Sequence, residues 1–508
     1  MGEVLSEAVG VLLAPEAARG VNPAANYIRV QPNPGGIKGW TPKLKYVARD
    51  PLSVLATPEK GDVVGLDANP ELTIDWNKDH CDTIAASMFR CVPKHIGGTD
   101  QSLFRPTVVV DGGVSDDSFT VAADGDLAAG FLIKGNGFAN AANNALHTTV
   151  TSTALAIKVA TGTLVAEAAA PANATLDVVG FVALAATDYA LDASGDLTTA
   201  AGNFTTKGLV VGMEIVIGGT AANSFFTTIG SKGRATIQTI ASGKLTLEQR
   251  SFAIGADLGT GKTIQVFASR FYRNYAINDA TNYAKPTLHG EKEDPGAGTA
   301  DASIYTEAEV LAVGMVVLTA PLEDKITAVV SFVGLDILDP VLAADRVAGP
   351  STAYAPLCTA LVDTANDLDK VQITDSTGDL IAEVTSWTFT ANNNVKAKKA
   401  QGEPGAGVAH LYGKFNYSVT VEAYFSSWEQ IKAMRDNRAL HWKAFVANHQ
   451  FGFALHLPNV GLLGGDQTYA ANEPVMISFD VPAFREDATG STNIAGCMTV
   501  FGHIPEDV

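Results

Sequence analysis

Surplus positive charge is absent from this 508-residue chain, in which 35 Lys and Arg stand against 54 Asp and Glu for a formal net charge of −19. A protein that grips nucleic acid through its phosphates needs clustered cations, so this balance argues against a nucleic-acid-binding surface. It fits a soluble surface, or one that must not adhere to a polyanion. Cysteine is scarce. The four thiols stand at 81, 91, 358 and 497, no pair has CxxC spacing, and no His lies at zinc-ligand spacing from a pair. Free, mostly buried thiols are therefore expected, with no metal site. Long apolar runs are missing too. VLAVGMVVLTAPL (310–322) falls short of the ~20 residues of a spanning helix, so no membrane insertion is expected. The first residues, MGEVLSEAVGVLLAPEAARG, are acidic ahead of a short apolar run and have no basic n-region, which argues against a signal peptide. Catalytic spacings are also lacking: there is no GxSxG, no HExxH and no local Cys/His pairing. Asp116 and Asp117 sit in a Gly-rich turn, where acids commonly serve the backbone. No enzyme activity and no cofactor are expected.

What is present is short alternation. ELTIDW (71–76), KITAVVSFVG (325–334), YSVTVEAYF (417–425) and PVMISFDVPAF (474–484) alternate apolar and polar residues between turn-forming residues, which reads as a mainly β fold. Two stretches carry helical spacing, CDTIAASMF (81–89) and SWEQIKAMRDN (427–437).

Residues 108–267 differ in composition, being rich in Ala, Gly, Thr and Asn, and they repeat internally. FTVAADGDL (119–127) matches YALDASGDL (189–197), AGFLIKGNG (129–137) resembles VGMEIVIGG (211–219), and TLDVVGF (175–181) resembles TIQVFAS (263–269). This is an insert of two β units, each closed by a strand after a glycine-rich turn. Within it, GADLGTGKT (255–263) fits a relaxed phosphate-loop pattern, with Lys262 and Thr263 as phosphate and magnesium ligands. TIQVFAS follows, however, and alternates like a strand where a phosphate loop must open a helix. GTGK is read as a hairpin turn. The insert is nearly neutral, with 13 acids and 8 bases over 111–267. It is expected to decorate the outside of the molecule and to be dispensable for assembly.

A larger duplication appears at a shift of 347 positions. Trp40-Thr41 falls on Trp387-Thr388, LTID (72–75) on VTVE (419–422), and DTIAA (82–86) on EQIKA (429–433). The implied organisation is an N-terminal arm (1–24), a first unit split into 25–107 and 268–340, the insert (108–267), a linker (341–380) and a second unit (381–508).

The quoted segments, in their order along the chain, resemble a long-tailed (siphovirus-type) bacteriophage major tail tube protein. They are IRVQPNPGGIKGW with ARDPLS (28–53), ELTIDWNKDHCDTIAASMF, PLEDKITAVVSFVGLD (321–336), VTSWTFTANNNV (384–395), GKFNYSVTVEAYF (413–425) and EPVMISFDVPAFREDATG (473–490). The resemblance implies two tail-tube β-sandwich units with short flanking helices. Sheets of neighbouring copies would join edge to edge into closed rings, and the rings would stack into a hollow tube. The tube would be filled first by the tape-measure protein and capped by tail-end proteins. DNA would then pass through it without specific binding. Assembly would take place in the host cytoplasm. A ring of this family is expected to need six sandwich units, so a two-unit chain implies a trimer with pseudo-sixfold symmetry, a hexamer being the alternative.

The polar faces of the strands fit that picture. Thr73 and Asp75 lie opposite Leu72 and Ile74, and Thr420 and Glu422 lie opposite Val419 and Val421. Such a face is either an ordinary solvated sheet or a lumen lining that repels phosphates. The charged stretch 43–65 contains Lys43, Lys45, Arg49, Asp50, Glu59, Lys60 and Asp62, and its counterpart contains Lys396, Lys398 and Lys399. Each reads as a solvated loop or, by resemblance, as a loop reaching the adjacent ring. A host-surface-binding or adhesin-like β-repeat protein is the alternative reading of the whole chain.

Overall fold

The computed structural model describes residues 9–23, 27–49, 59–98, 103–112, 117–122, 125, 127–230, 232–296, 303–346, 353–354, 360–375, 378–381, 383–402, 405–469, 471, 474–484 and 495–505. The fold is mainly β, with two α-helices among these residues. Its centre is a continuous antiparallel run of eight strands. In chain order they are β1 (Pro32–Lys38), β2 (Glu71–Asp75), β3 (Ile304–Ala320), β4 (Thr327–Val333), β5 (Val384–Asn392), β6 (Asn416–Tyr424), β7 (Leu463–Thr468) and β8 (Met476–Pro482). In space they run β1-β2-β4-β3-β5-β6-β8-β7. The first four and the last four therefore repeat one order, and β3 joins the halves by pairing with β5 from Met315↔Asn392 to Ala320↔Trp387.

Alternation sets the two faces of this run. On β6 every second residue is buried, Tyr417, Val419, Val421 and Ala423, and those between are exposed. The apolar face lies on a second layer. Under the second half this layer is a seven-stranded sheet that includes Leu440–Ala447, Gly452–Val460 and Cys497–Phe501. Trp387 on β5 meets Trp442 edge-on at 5.6 Å between ring centroids. Next to the first half lie Gly10–Pro15, Leu288–Asp294 and the N-terminal part of β3. The long β3 serves both layers by changing partners near Gly314, where its ladder slips, and just before this Val310 holds φ +50°. Helix α1 (Lys78–Phe89) is almost wholly buried, and the Asn77 side chain caps it by accepting from the His80 amide. Helix α2 (Trp428–Arg435) is capped by Ser427 and is largely exposed. No helix among the described residues is long and apolar enough to cross a membrane. Cys81, Cys91 and Cys497 are free and buried, and Cys358 lies outside the described residues.

The 347-position register holds for β2 with β6 and for α1 with α2, but not for the tryptophans. Trp387 lies within β5, whereas Trp40 lies beyond the end of β1, buried against Gly290. Ile37↔Leu72 and Phe389↔Val419 are the equivalent ladder pairs, which makes Ile37 the counterpart of Phe389. The stretch 341–380 is more than a linker. Leu368–Asp375 is a strand of the second layer, paired with Leu440–Ala447.

The insert builds most of a ten-stranded sheet, which also takes in Leu103–Phe104 from just before it, and its internal repeat is visible as symmetry about the centre of that sheet. The closing strands of the two copies, Thr175–Val182 and Gln265–Phe267, pair at the centre, each flanked by the matching strand of its own copy, Phe131–Asn136 or Glu214–Gly218. The insert does not stand apart from the sandwich. Its core is continuous with Phe271, Phe445, Phe501 and Ile504 of the seven-stranded sheet and the residues beside it. Two buried ionic clusters cross the same boundary. Asp177 of the insert lies 3.1 Å from Lys78 and 3.1 Å from Arg270, and Arg270 also pairs with Asp82. Glu214 lies 2.5 Å from Lys443, and both bond the Thr236 hydroxyl. Burial pushes the Asp177 carboxyl up and the Lys443 ammonium down, with Lys78 and Glu214 opposing these shifts.

Candidate lumen face and subunit edges

The outward face of the eight-stranded run is mostly small polar residues, with Val317 and Val329 among them. Asp75, Thr327, Thr319, Thr388, Thr420 and Asp480 stand side by side on six consecutive strands. Thr73, Val329, Val317, Thr390 and Ser418 form the next row. Strand alternation alone produces this, because a pleated strand sends every second side chain to the same side. Thr73, Asp75, Thr420 and Glu422 thus share one continuous face.

The acids of that face differ in their neighbours. Asp75 bonds Lys325 at 2.9 Å and Glu71 bonds Lys38 at 3.1 Å, so each has a cation beside it. Glu422 is exposed and accepts from the Ser386 hydroxyl at 2.9 Å. Exposed Asp480 accepts from Thr420 at 3.0 Å. Asp480 extends the acidic set beyond what sequence reading selected. The signal was present in ISFDVP, where Asp480 falls on the polar side of the alternation.

The rows also carry a step. A walk across the sheet from Asp75 reaches Thr420 and not Glu422, its counterpart 347 positions on. The row through Thr73 reaches Ser418, again two residues short of its counterpart Thr420. One unit therefore displaces the next by two residues along the strands. Such a stagger is what a sheet needs to curl and close.

The charged segments form two ribbons that leave the sheet. Lys43–Arg49 pairs with Glu59–Asp67, and Val395–Lys398 pairs with Ala409–Tyr412. Lys43, Lys45, Arg49, Glu59, Lys60 and Asp62 lie on the first ribbon, Lys396 and Lys398 on the second with Lys399 just after it, and Asp50 lies outside the described residues. The ribbons are tied at their bases. Asp67 receives Lys399 at 2.6 Å and Lys45 at 3.0 Å, and the Lys399 bond chiefly holds its carboxyl below the usual range. The first ribbon also exposes Leu44, Tyr46, Val47, Val63 and Val64, with Tyr46 61% exposed. The apolar residues were legible in the sequence, but their exposure was not.

The candidate phosphate loop is a tight turn. The Lys262 amide donates to the Gly259 carbonyl at 2.9 Å, and the Lys262 ammonium bonds the Thr227 hydroxyl at 2.8 Å. A strand, Gln265–Phe267, follows in place of a helix, and its partners are Thr175–Val182 and Glu214–Gly218. The turn is thus not that of a hairpin.

Residues 242–483 match the family described as Phage tail tube protein. The matched stretch contains β3 to β8 whole. No curated protein matches the chain.

Proposed function

From its membership of the phage tail tube proteins, carried by residues 242–483, we propose that this chain is the repeating subunit of a long, non-contractile tail tube. Its rings stack end to end, and the genome leaves the virion through the bore. The observation that carries this reading is the eight-stranded sheet with one unit order repeated, a polar outer face and both edge strands open. Open edges are hazards in a monomer, and ring closure removes them. Three copies supply the six units of a ring. The polar face lines the bore, with Thr73, Asp75, Thr420, Glu422 and Asp480 exposed to passing DNA. The two ribbons reach the neighbouring ring, where Leu44, Tyr46, Val63 and Val64 bury apolar surface and the lysines meet acids. The tape-measure protein fills the bore during assembly in the host cytoplasm, and tail-end proteins close the tube. The insert decorates the outside.

Purified protein at high concentration, viewed in negative stain, is expected to form hollow tubes of uniform width. A monomer or small oligomer that binds host cells instead would overturn the reading.

The lining makes a second prediction. Glu422→Lys with Asp480→Lys changes two exposed positions that carry no core contact. Tubes should still form, but genome release from assembled virions should slow severalfold at low salt and recover as salt screens the new cations. Unchanged release at every ionic strength would place these side chains away from the bore.

A further inference from the structure

The junction between the two halves of the chain shows how one copy meets the next, and we infer that β7 of one copy pairs antiparallel with β1 of its neighbour. This rests on the tube reading above and specifies its interface. Inside the chain, the last strand of the first unit, β3, is bonded to the first strand of the second, β5. Their counterparts are β7 and β1, which end the eight-stranded run on its two sides. Both are open: Leu463, Gly464, Asp466 and Thr468 on β7, and Pro34, Gly35 and Lys38 on β1, are exposed. Repeating the internal junction between copies gives every ladder of the ring the same form.

The register follows from the ladders. Val317 lies opposite Val329 as Leu463 lies opposite Asp480, and Val329 and Asp480 face Thr73 and its counterpart Thr420. Leu463 is therefore the counterpart of Val317. Val317 pairs with Thr390, whose counterpart on β1 is Lys38, because Phe389 and Ile37 hold the same place. Leu463 of one copy thus stands opposite Lys38 of the next, and Gly464 opposite Ile37.

The ends agree with this register. Between Pro32 and Ile37 the β1–β2 ladder slips, and a hollow of about 480 Å³ opens there, lined by Pro32, Asn33, Pro34, Gly35 and residues beside them. The internal junction places the β3–β4 turn beside the corresponding start of β5. Tyr469, which directly follows β7 and is 72% exposed, would arrive from a neighbour at this hollow. A tyrosine at such a place supplies apolar area with a polar tip.

The test uses the full chain. Directly opposed residues of an antiparallel pair have Cα atoms about 4.5–5.5 Å apart, within reach of a disulfide. The L463C/K38C double variant, assembled and then oxidised, should give intermolecular dimers and trimers on a non-reducing gel and nothing larger, while either single variant should give none of this series. Tubes that form without the cross-link would overturn the register. A cross-linked series running beyond three would overturn the threefold ring. A wild-type chain that forms no tubes at all would overturn the parent reading instead. Should the double variant fail to assemble, L463K decides. It sets a cation opposite Lys38 without touching the core, and the concentration needed for assembly should rise about threefold or more at low salt, less at high salt. Assembly identical to wild type would refute the pairing.

Discussion

A chain lacking residues 112–266, bridged by a short Gly/Ser linker, is expected to be recovered as insoluble or unfolded protein. The sequence suggested the opposite, because a loop insertion into a barrel wall is usually dispensable. The shared core reverses that expectation. Removal would uncover Phe271, Phe445, Phe501 and Ile504, all within 3% of full burial. Each such side chain is worth about 1.5–3 kcal/mol when buried. Lys78 and Arg270 would lose Asp177 but keep Asp82, whereas Lys443 would lose Glu214. Leaving a buried charge without its partner costs about 3–5 kcal/mol. Each of these losses compares with the roughly 5–15 kcal/mol that holds a domain folded. The soluble fraction and the thermal melt of the deletion variant measure the outcome, and soluble deletion protein that still forms rings would refute it. Two substitutions isolate the electrostatic part. Lys443→Ala should destabilise by about 3–5 kcal/mol, whereas Lys443→Met with Glu214→Leu should cost much less, since no charge is left unpaired.

The assembled ring is expected to show true threefold and approximate sixfold symmetry, around a bore whose width the internal register fixes. Three copies supply about 24 strands, and a step of two residues per unit sums to a stagger of about 12 around the ring. With about 4.8 Å between strands and about 3.3 Å per residue, the strands tilt by about 20° and the barrel measures about 39 Å between backbones. Small side chains such as Thr319, Thr388 and Thr420 leave most of that width open. The bore is then wide enough for duplex DNA. The insert, present in only one of the two units, would project at three places per ring. An image reconstruction decides the matter. Six equal projections per ring, or a barrel far from this width, would mean that each chain contributes one unit and that the eight-stranded run does not form the wall.

The ribbons change the expected balance between rings. A contact made by lysines and acids would weaken steeply with salt. At the proposed ring contact the exposed Leu44, Tyr46, Val63 and Val64 would add an apolar contribution that salt does not screen. Stacking should therefore persist at ionic strengths that abolish a purely charged contact.

Much of this protein was legible in its residues. Alternation in ELTIDW and YSVTVEAYF fixed which side chains share a face, because a pleated strand allows no other arrangement. The internal match at 119–127 and 189–197 marked the insert as a duplication, and the strand-like TIQVFAS excluded a phosphate loop, since its backbone could not open a helix. The tertiary structure decided what depends on contacts between distant segments. The pairing of β3 with β5 crosses from one unit to the other, and neither sequence names its partner. Trp40 and Trp387 align in sequence yet occupy different places, because the chain from Ile37 to its ladder partner Leu72 is longer than that from Phe389 to Val419, and a change in connection length leaves no periodic trace. The 341–380 segment hid a strand, Leu368–Asp375, in a composition that read as a linker. The insert's attachment rests on Asp177 and Glu214, two acids that look solvated in sequence and are buried only because Lys78, Arg270 and Lys443 arrive from elsewhere in the chain. A buried charge requires a partner, and only the folded chain brings that partner within reach.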